Sequence, residues 1–224
     1  MNSYHTTRLV YDRKREVLWA ALCDHYFSRF IRPDHHVLEL GAGYAHFINN
    51  VRCAVRTAVD LWPLMPNYTA PGVVAKVGSV TDLSFLAEAS VDLAFASNLF
   101  EHLAKDDFAK TLAQLRRKLK PEGTLIILQP NYRRAYKEYF DDYTHVSVFS
   151  DVSLCDFLAA NGFQVLEFSA GFLPLSVKSR FPVSRLLIRL YLASPWKPFA
   201  KQMLVRARID PGTAVAPRSL AAGA

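Results

Sequence analysis

The stretch His36-Val-Leu-Glu-Leu-Gly-Ala-Gly-Tyr-Ala-His-Phe-Ile48, followed by Arg56-Thr-Ala-Val-Asp60, decides the fold. Val37, Leu38 and Leu40 form a short apolar run, the mark of a buried parallel strand. The run stops at Gly41-Ala42-Gly43, and Tyr44 to Val51 has helical character. A second strand then ends in an acid, Asp60. Strand, glycine turn, helix and acid-tipped strand make up the nucleotide half of a doubly wound α/β fold. Gly41 and Gly43 let the backbone pass close under a ligand, in dihedrals that a β-carbon penalises. Asp60, about 20 residues on, is placed to take both hydroxyls of a ribose.

Two positions discriminate between nucleotides. A dinucleotide fingerprint wants a third glycine at position 46, which here is His46, and has no need of the acid at Glu39. The pattern Glu39-x-Gly41-x-Gly43 resembles motif I of the class I S-adenosylmethionine (SAM) dependent methyltransferases, acid-x-Gly-x-Gly-x-Gly, with Ala45 in place of the last glycine. Ser97-Asn-Leu-Phe-Glu-His-Leu103 is similar to the fourth motif of that family, and Leu119-Lys-Pro-Glu-Gly-Thr-Leu125 to the turn before its fifth strand. The order and spacing of these segments cover residues 36–169. Residues 170–208 resemble a glycan-modifying subgroup, through Phe172-Leu-Pro-Leu-Ser-Val-Lys-Ser179 and Lys201-Gln202.

Bulk properties bound the rest. A chain of 224 residues, 51% hydrophobic and 21% charged, suits one soluble domain with a sizeable core. The first residues lack the layout of a signal peptide, no apolar run is long enough for a bilayer, and a cytoplasmic location is expected. Cys23, Cys53 and Cys155 have neither disulfide-framework nor zinc-ligand spacing. The net charge of +7 is localised: residues 1–169 hold 18 basic against 19 acidic residues, whereas Ala170 to Ile209 holds eight basic residues and no acid. That segment reads as a solvated surface, an anion-acceptor patch or a membrane face.

Along the chain, residues 12–31 read as a helix with an apolar stripe at Trp19, Leu22, Tyr26 and Phe30, packed at the sheet edge and closing over the cofactor mouth. Val73 to Val77, Val91 to Ser97 and Thr124 to Gln129 read as strands, with a short helix after Gly78 to Leu83 and a longer one over Asp106 to Leu119. Ser150 to Asn161 is a helix stopped by Gly162. Phe163 to Phe168 and Gln202 to Arg208 are strands separated by a long excursion, with Val183 to Leu192 helical. The expected fold is a Rossmann-like, doubly wound seven-stranded sheet with an antiparallel pair at its edge. The domain spans 1–209, with 1–33 as an N-terminal helical cap, 170–200 as a basic acceptor-lid insertion and 210–224 as a disordered tail.

The resemblance implies SAM as cofactor. Glu39, Gly41, Ala42, Gly43 and Tyr44 would face its methionine part, Asp60 the ribose, and Leu61 and Val80 the adenine; Ser79 stands where many members place an acid, and Asn98 closes the site. An alcohol acceptor needs a base of near-neutral pKa. His145 is the candidate, with Asp141 or Asp142 orienting it; its other reading is a cap or packing residue. Glu101-His102 invites a metal reading, but the members that bind metal there add an acid three residues earlier, where this chain has Asn98, and no metal is expected. Tyr132, Tyr136, Tyr139 and Tyr143, interleaved with Arg133, Arg134 and Lys137, suit either an acceptor pocket or a solvated helix. The expected reaction is O-methylation of a sugar hydroxyl on a glycan, nucleotide-sugar or lipid-linked intermediate, with Lys178 and Arg180 meeting an anionic group. The alternatives are another small-molecule acceptor and a SAM-binding module without catalysis. His46 argues against a nicotinamide enzyme, and the lack of an Asn/Asp-Pro-Pro-aromatic motif against nucleic acid.

Overall fold

The computed structural model describes residues 11–175 and 184–213. Seven strands form one sheet: β1 (His36–Leu40), β2 (Val55–Asp60), β3 (Val73–Val77), β4 (Val91–Ser97), β5 (Leu119–Pro130), β6 (Phe163–Pro174) and β7 (Ala200–Ile209). Their order is β3-β2-β1-β4-β5-β7-β6, with β1 to β5 parallel and β7 antiparallel to both β5 and β6. This is the expected doubly wound sheet with an antiparallel pair at its edge. The direction of winding reverses between β1 and β4, so a crevice opens at the carboxyl ends of those two strands.

Period-two alternation explains why the central strands read as continuous apolar runs. Leu38 and Leu40 of β1, Ala94 and Ala96 of β4, and Leu125 and Ile127 of β5 point into one core. Val37, Leu93, Phe95, Ile126 and Leu128 point into the other. Helices α3 (Lys105–Lys118) and α5 (Asp151–Ala160) cover the first core; α1 (Arg13–His25), α2 (His46–Asn50) and part of α6 (Arg185–Ala193) cover the second. A short helix α4 (Tyr132–Ala135) follows β5. Helix α5 starts where the sequence predicts, at a capping box in which the Ser150 hydroxyl accepts from Ser153 N and the Ser153 hydroxyl from Ser150 N.

Four expectations need correction. Helix α1 lies over the middle of the sheet, not its edge: Trp19 meets Phe95 of central β4 with ring centroids 5.7 Å apart, edge to face. The predicted helix over Tyr44 to Val51 begins only at His46, because Ala45 adopts a left-handed conformation (φ 56°). The β3–β4 connection makes turns where a short helix was expected; the Asp82 carboxylate accepts from Ser84 N, while Leu83 and Leu86 drop into the core. Strand β6 continues to Pro174, past the predicted end at Phe168.

The excursion between β6 and β7 leans on the N-terminal helix. Arg185 reaches Asp24 of α1 at 3.3 Å, and Tyr191 and Leu192 pack against the second core. Lys178 and Arg180 lie outside the described residues, as does the tail beyond Thr213; Pro211–Thr213 forms a short 3-10 turn.

Candidate active site

The glycine turn after β1 uses left-handed backbone that glycine adopts without strain. Gly41 and Gly43 have φ of 67° and 51°. A β-carbon at Gly41 would also come within 2.8 Å of Leu99 Cδ1, on the loop after β4. Ala45, where the motif wants glycine, takes a left-handed backbone despite its methyl group, at a cost of about 1–2 kcal/mol. The turn keeps its shape, and the alanine is strained.

Two carboxylates brace this turn. Asp60, at the tip of β2, accepts from Gly43 N and from Trp62 N, both at 2.7 Å. A carboxylate has about four lone-pair sites, so hydroxyl donors from a ligand still find acceptors there. Glu39 is buried and accepts from Ile48 N at 3.0 Å, satisfying a donor at the start of α2. Burial pushes its carboxyl well above the usual range, and the nearby charge of Asp60 adds to the effect.

Both open into a cavity of about 1080 Å³ at the switch point. Its walls include Glu39, Gly41 to Tyr44, Asp60 and Leu61 on one side and Asn98, Asp142 and His145 on the other. The structure therefore brings together every predicted site residue except two. Ser79 and Val80 are not among the lining residues: the Ser79 hydroxyl bonds Thr81 Oγ1 at 2.8 Å, and Val80 is buried in the core under α3. Asp82 is also absent from the lining. Trp62 takes their place in the cavity wall, packed edge to face on Tyr44 (5.1 Å) and stacked on Tyr68 (5.1 Å). An aromatic residue two positions past the acid was the signal available in the sequence.

A second constellation faces the turn. His145 Nδ1 bonds the Tyr139 carbonyl oxygen. A carbonyl only accepts, so Nδ1 carries the proton and Nε2 the lone pair. The Thr144 hydroxyl donates to Asp142 at 2.6 Å, which leaves it to accept from His102 Nδ1 at 2.9 Å. Asp142 thus reaches His102 through Thr144, and its charge also interacts with His145, the imidazole it was expected to orient or charge-stabilise. Burial pushes the Asp142 carboxyl up, but the Thr144 hydroxyl and N–H, with His102 and His145, outweigh it and hold it below the usual range. Burial lowers the His102 imidazole to about 4, and His145 contributes.

The main chain of Glu101 is structural: its carbonyl accepts from Val146 N and Ser147 N. Its side chain is fully buried with no hydrogen-bond partner on either oxygen, and burial raises it to about 8. The ligand-type atoms of Glu101, His102 and His145 lie within 4.8 Å of one another. The tyrosines of the 132–143 stretch are not among the residues that line the cavity. Tyr139 is buried with its hydroxyl on the Ser147 carbonyl, and Tyr136 and Tyr143 face solvent; Glu138, Asp141, Asp142, Thr144 and His145 are the lining residues hereabouts.

A family model described as a methyltransferase domain matches residues 11–168. The chain belongs to the class I SAM-dependent methyltransferases. Solved structures agree at the level of the fold. A SAM-dependent methyltransferase from Archaeoglobus fulgidus superposes with a TM-score of 0.64 at 18% identity, covering 87% of this chain and 94% of that one. One from Thermotoga maritima gives 0.65 at 19%, covering 92% and 94%. The geranyl diphosphate C-methyltransferase of Streptomyces coelicolor, bound to Mg2+, geranyl diphosphate and S-adenosylhomocysteine, gives 0.60 at 12%, covering 85% and 77%. Among curated proteins no sequence match is found. The cofactor of this methyltransferase is SAM, and the residues fit it: a glycine turn too close to Leu99 for a β-carbon, a carboxylate at the β2 tip and a buried acid beside them.

Proposed function

We propose that this methyltransferase transfers the methyl group of SAM to an oxygen of a polar small molecule, a sugar hydroxyl on a glycan, nucleotide-sugar or lipid-linked intermediate. The observation that carries the reading is the tautomer of His145. With Nδ1–H given to the Tyr139 carbonyl, Nε2 is the basic atom of a cavity-lining imidazole. Methyl transfer is an in-line displacement at a sulfonium carbon, with loss of charge; the protein contributes by holding donor and acceptor at attack distance. Glu39 faces the cationic methionine end of SAM, which favours the ionised form that burial opposes. Asp60 takes the ribose and Trp62 with Leu61 an adenine face. The acceptor side supports a sugar: Asn98, Glu138, Asp141, Thr144, Lys201 and Gln202 offer donors and acceptors to hydroxyl groups.

His145→Ala should lower turnover by about 100-fold, the usual share of a general base, with SAM affinity unchanged in calorimetric titration. A variant as fast as the parent would retire His145 as the base. A screen of hydroxyl, amine and aromatic acceptors with S-adenosylhomocysteine release as readout tests the acceptor class; turnover with amines alone would overturn it.

One observation favours a second reading. Glu101, with no hydrogen-bond partner on either carboxylate oxygen, converges with His102 and His145, whose Nδ1 atoms are both held by oxygen acceptors. In it these three hold a divalent cation that polarises the acceptor oxygen, and His145 is a ligand, not a base. Turnover abolished by chelator and restored by a divalent salt would select this reading; turnover indifferent to chelator would select the first.

A further inference from the structure

Residues 184–199 hold five large apolar side chains in water. On α6, Leu186, Leu187 and Leu190 are 64%, 51% and 57% exposed, while Ile188 on the opposite side is buried. The loop after α6 carries Trp196 and Phe199, at 76% and 84% the most exposed large apolar side chains among the described residues.

The loop is built to present them. Lys197 Nζ donates to the Tyr191 and Leu192 carbonyls at 2.6 and 2.7 Å, closing the carboxyl end of α6. The Tyr191 hydroxyl donates to the Pro198 carbonyl, and Ser194 Oγ accepts from Trp196 N at 3.2 Å. Phe199 sits at φ 58°, a conformation that bulky residues rarely adopt, with its ring outward. Packing does not explain a strained, exposed aromatic ring; a contact made elsewhere does.

Charge narrows the partner. Arg185, Arg189 and Lys197 share the stretch, and no acid occurs from Ala170 to Ile209. Arg185 pairs with Asp24 of α1 at 3.3 Å. A symmetric contact with a second copy would set this basic stretch against itself. An anionic lipid surface accepts the exposed Arg189, beside the Asp24-paired Arg185, together with the leucine and tryptophan side chains. The helix lies on such a surface and cannot cross it: among the described residues no helix is long and apolar enough to span a membrane. Nine residues of helix bind weakly alone, so the aromatic loop is needed beside them.

We infer that residues 184–199 dock this protein on an anionic bilayer, with Leu186, Leu187, Leu190 and Trp196 in the interface. Phe199 belongs both to this patch and, with Pro174 and Leu175, to the wall of the active-site cavity. The bilayer therefore meets the cavity mouth, which favours a lipid-linked acceptor; that consequence rests on the oxygen-methylation reading, and the docking does not.

The test is cosedimentation of the full chain with vesicles of phosphatidylcholine alone, or with about one third phosphatidylglycerol. Binding to the anionic vesicles should exceed that to neutral ones by about tenfold or more and fall with added salt. The double variant Leu187→Ser, Trp196→Ser should lose about tenfold or more in vesicle binding and keep its SAM affinity. A second readout needs no variant. Trp196 is exposed while Trp19 and Trp62 are buried, so brominated lipid should quench the exposed tryptophan emission. Absence of vesicle binding, or a dimer in sedimentation that the double variant abolishes, would overturn the proposal. Because no methyl acceptor enters the assay, failed docking is distinguishable from failed catalysis.

Discussion

At the scale of single residues, Glu101 is the most consequential side chain that the sequence undersold. Its carboxyl titrates near 8 when folded, against an ordinary value of 4.5. An acid with a raised folded pKa contributes stability that is fully present below 4.5 and lost as pH climbs through 8. Relative to Glu101→Gln, the parent should therefore lose on the order of 3–5 kcal/mol between about pH 4.5 and pH 8. Urea unfolding of both proteins across that range, with chelator present, measures it; a pH-independent difference would contradict the buried, unpartnered carboxyl. Asp60→Ala removes the acceptor at the tip of β2 and should weaken SAM binding by about 1–3 kcal/mol. Trp62→Ala leaves the main-chain bond to Asp60 in place but removes an aromatic face of the cavity wall and the stack on Tyr68, so it too should weaken SAM binding. Calorimetry on both variants separates the two contributions.

At the scale of elements, the ends of helices and strands place the site. Helix α2 is only five residues long and contributes little stability of its own; it is anchored by Glu39 at Ile48 N and by Phe47 stacked on Phe95, with ring centroids 3.9 Å apart. Helix α5 is autonomous by comparison, with its reciprocal serine cap and Gly162 at φ 80°. Ser150→Ala should cost about 1 kcal/mol in unfolding free energy, with SAM affinity unchanged, because α5 covers the core away from the cavity. Differential melting with and without cofactor reads both numbers. The segment from Asn131 to Ser147 is the opposite case. It carries little regular structure, yet Tyr139, Ser147 and Glu101 tie it to the loop after β4 and aim His145 into the cavity.

At the scale of the whole molecule, the two cores lie on opposite faces of the sheet, and the cavity opens where the winding changes direction. Cofactor binding ties the two sides of that crevice together. SAM at about 100 times its Kd should stabilise the native state by about 2.7 kcal/mol. For a chain of this size that is a rise in Tm of about 5–10 °C. Thermal melting across a SAM titration tests it, and Asp60→Ala should shift the curve to higher concentration. A flat response in the parent would place the cofactor site elsewhere.

What the sequence determined by itself was local and periodic. The apolar runs over Val37 to Leu40 and Leu125 to Leu128, the glycine turn and the acid at position 60 require contacts within a few tens of residues, so their spacing already implied the doubly wound half. The capping serine and Gly162 were legible for the same reason. Tertiary structure alone decided the rest. Residues 101, 102 and 145 converge because two loops at the ends of neighbouring strands meet, and no spacing rule spans that distance in the chain. Val80 turned into the core and Trp62 into the cavity because face selection in a loop depends on what packs behind it. Helix α1 settled over the central strands because Trp19 and Phe27 complete an aromatic layer with Phe47 and Phe95, a surface that exists only once the sheet has formed.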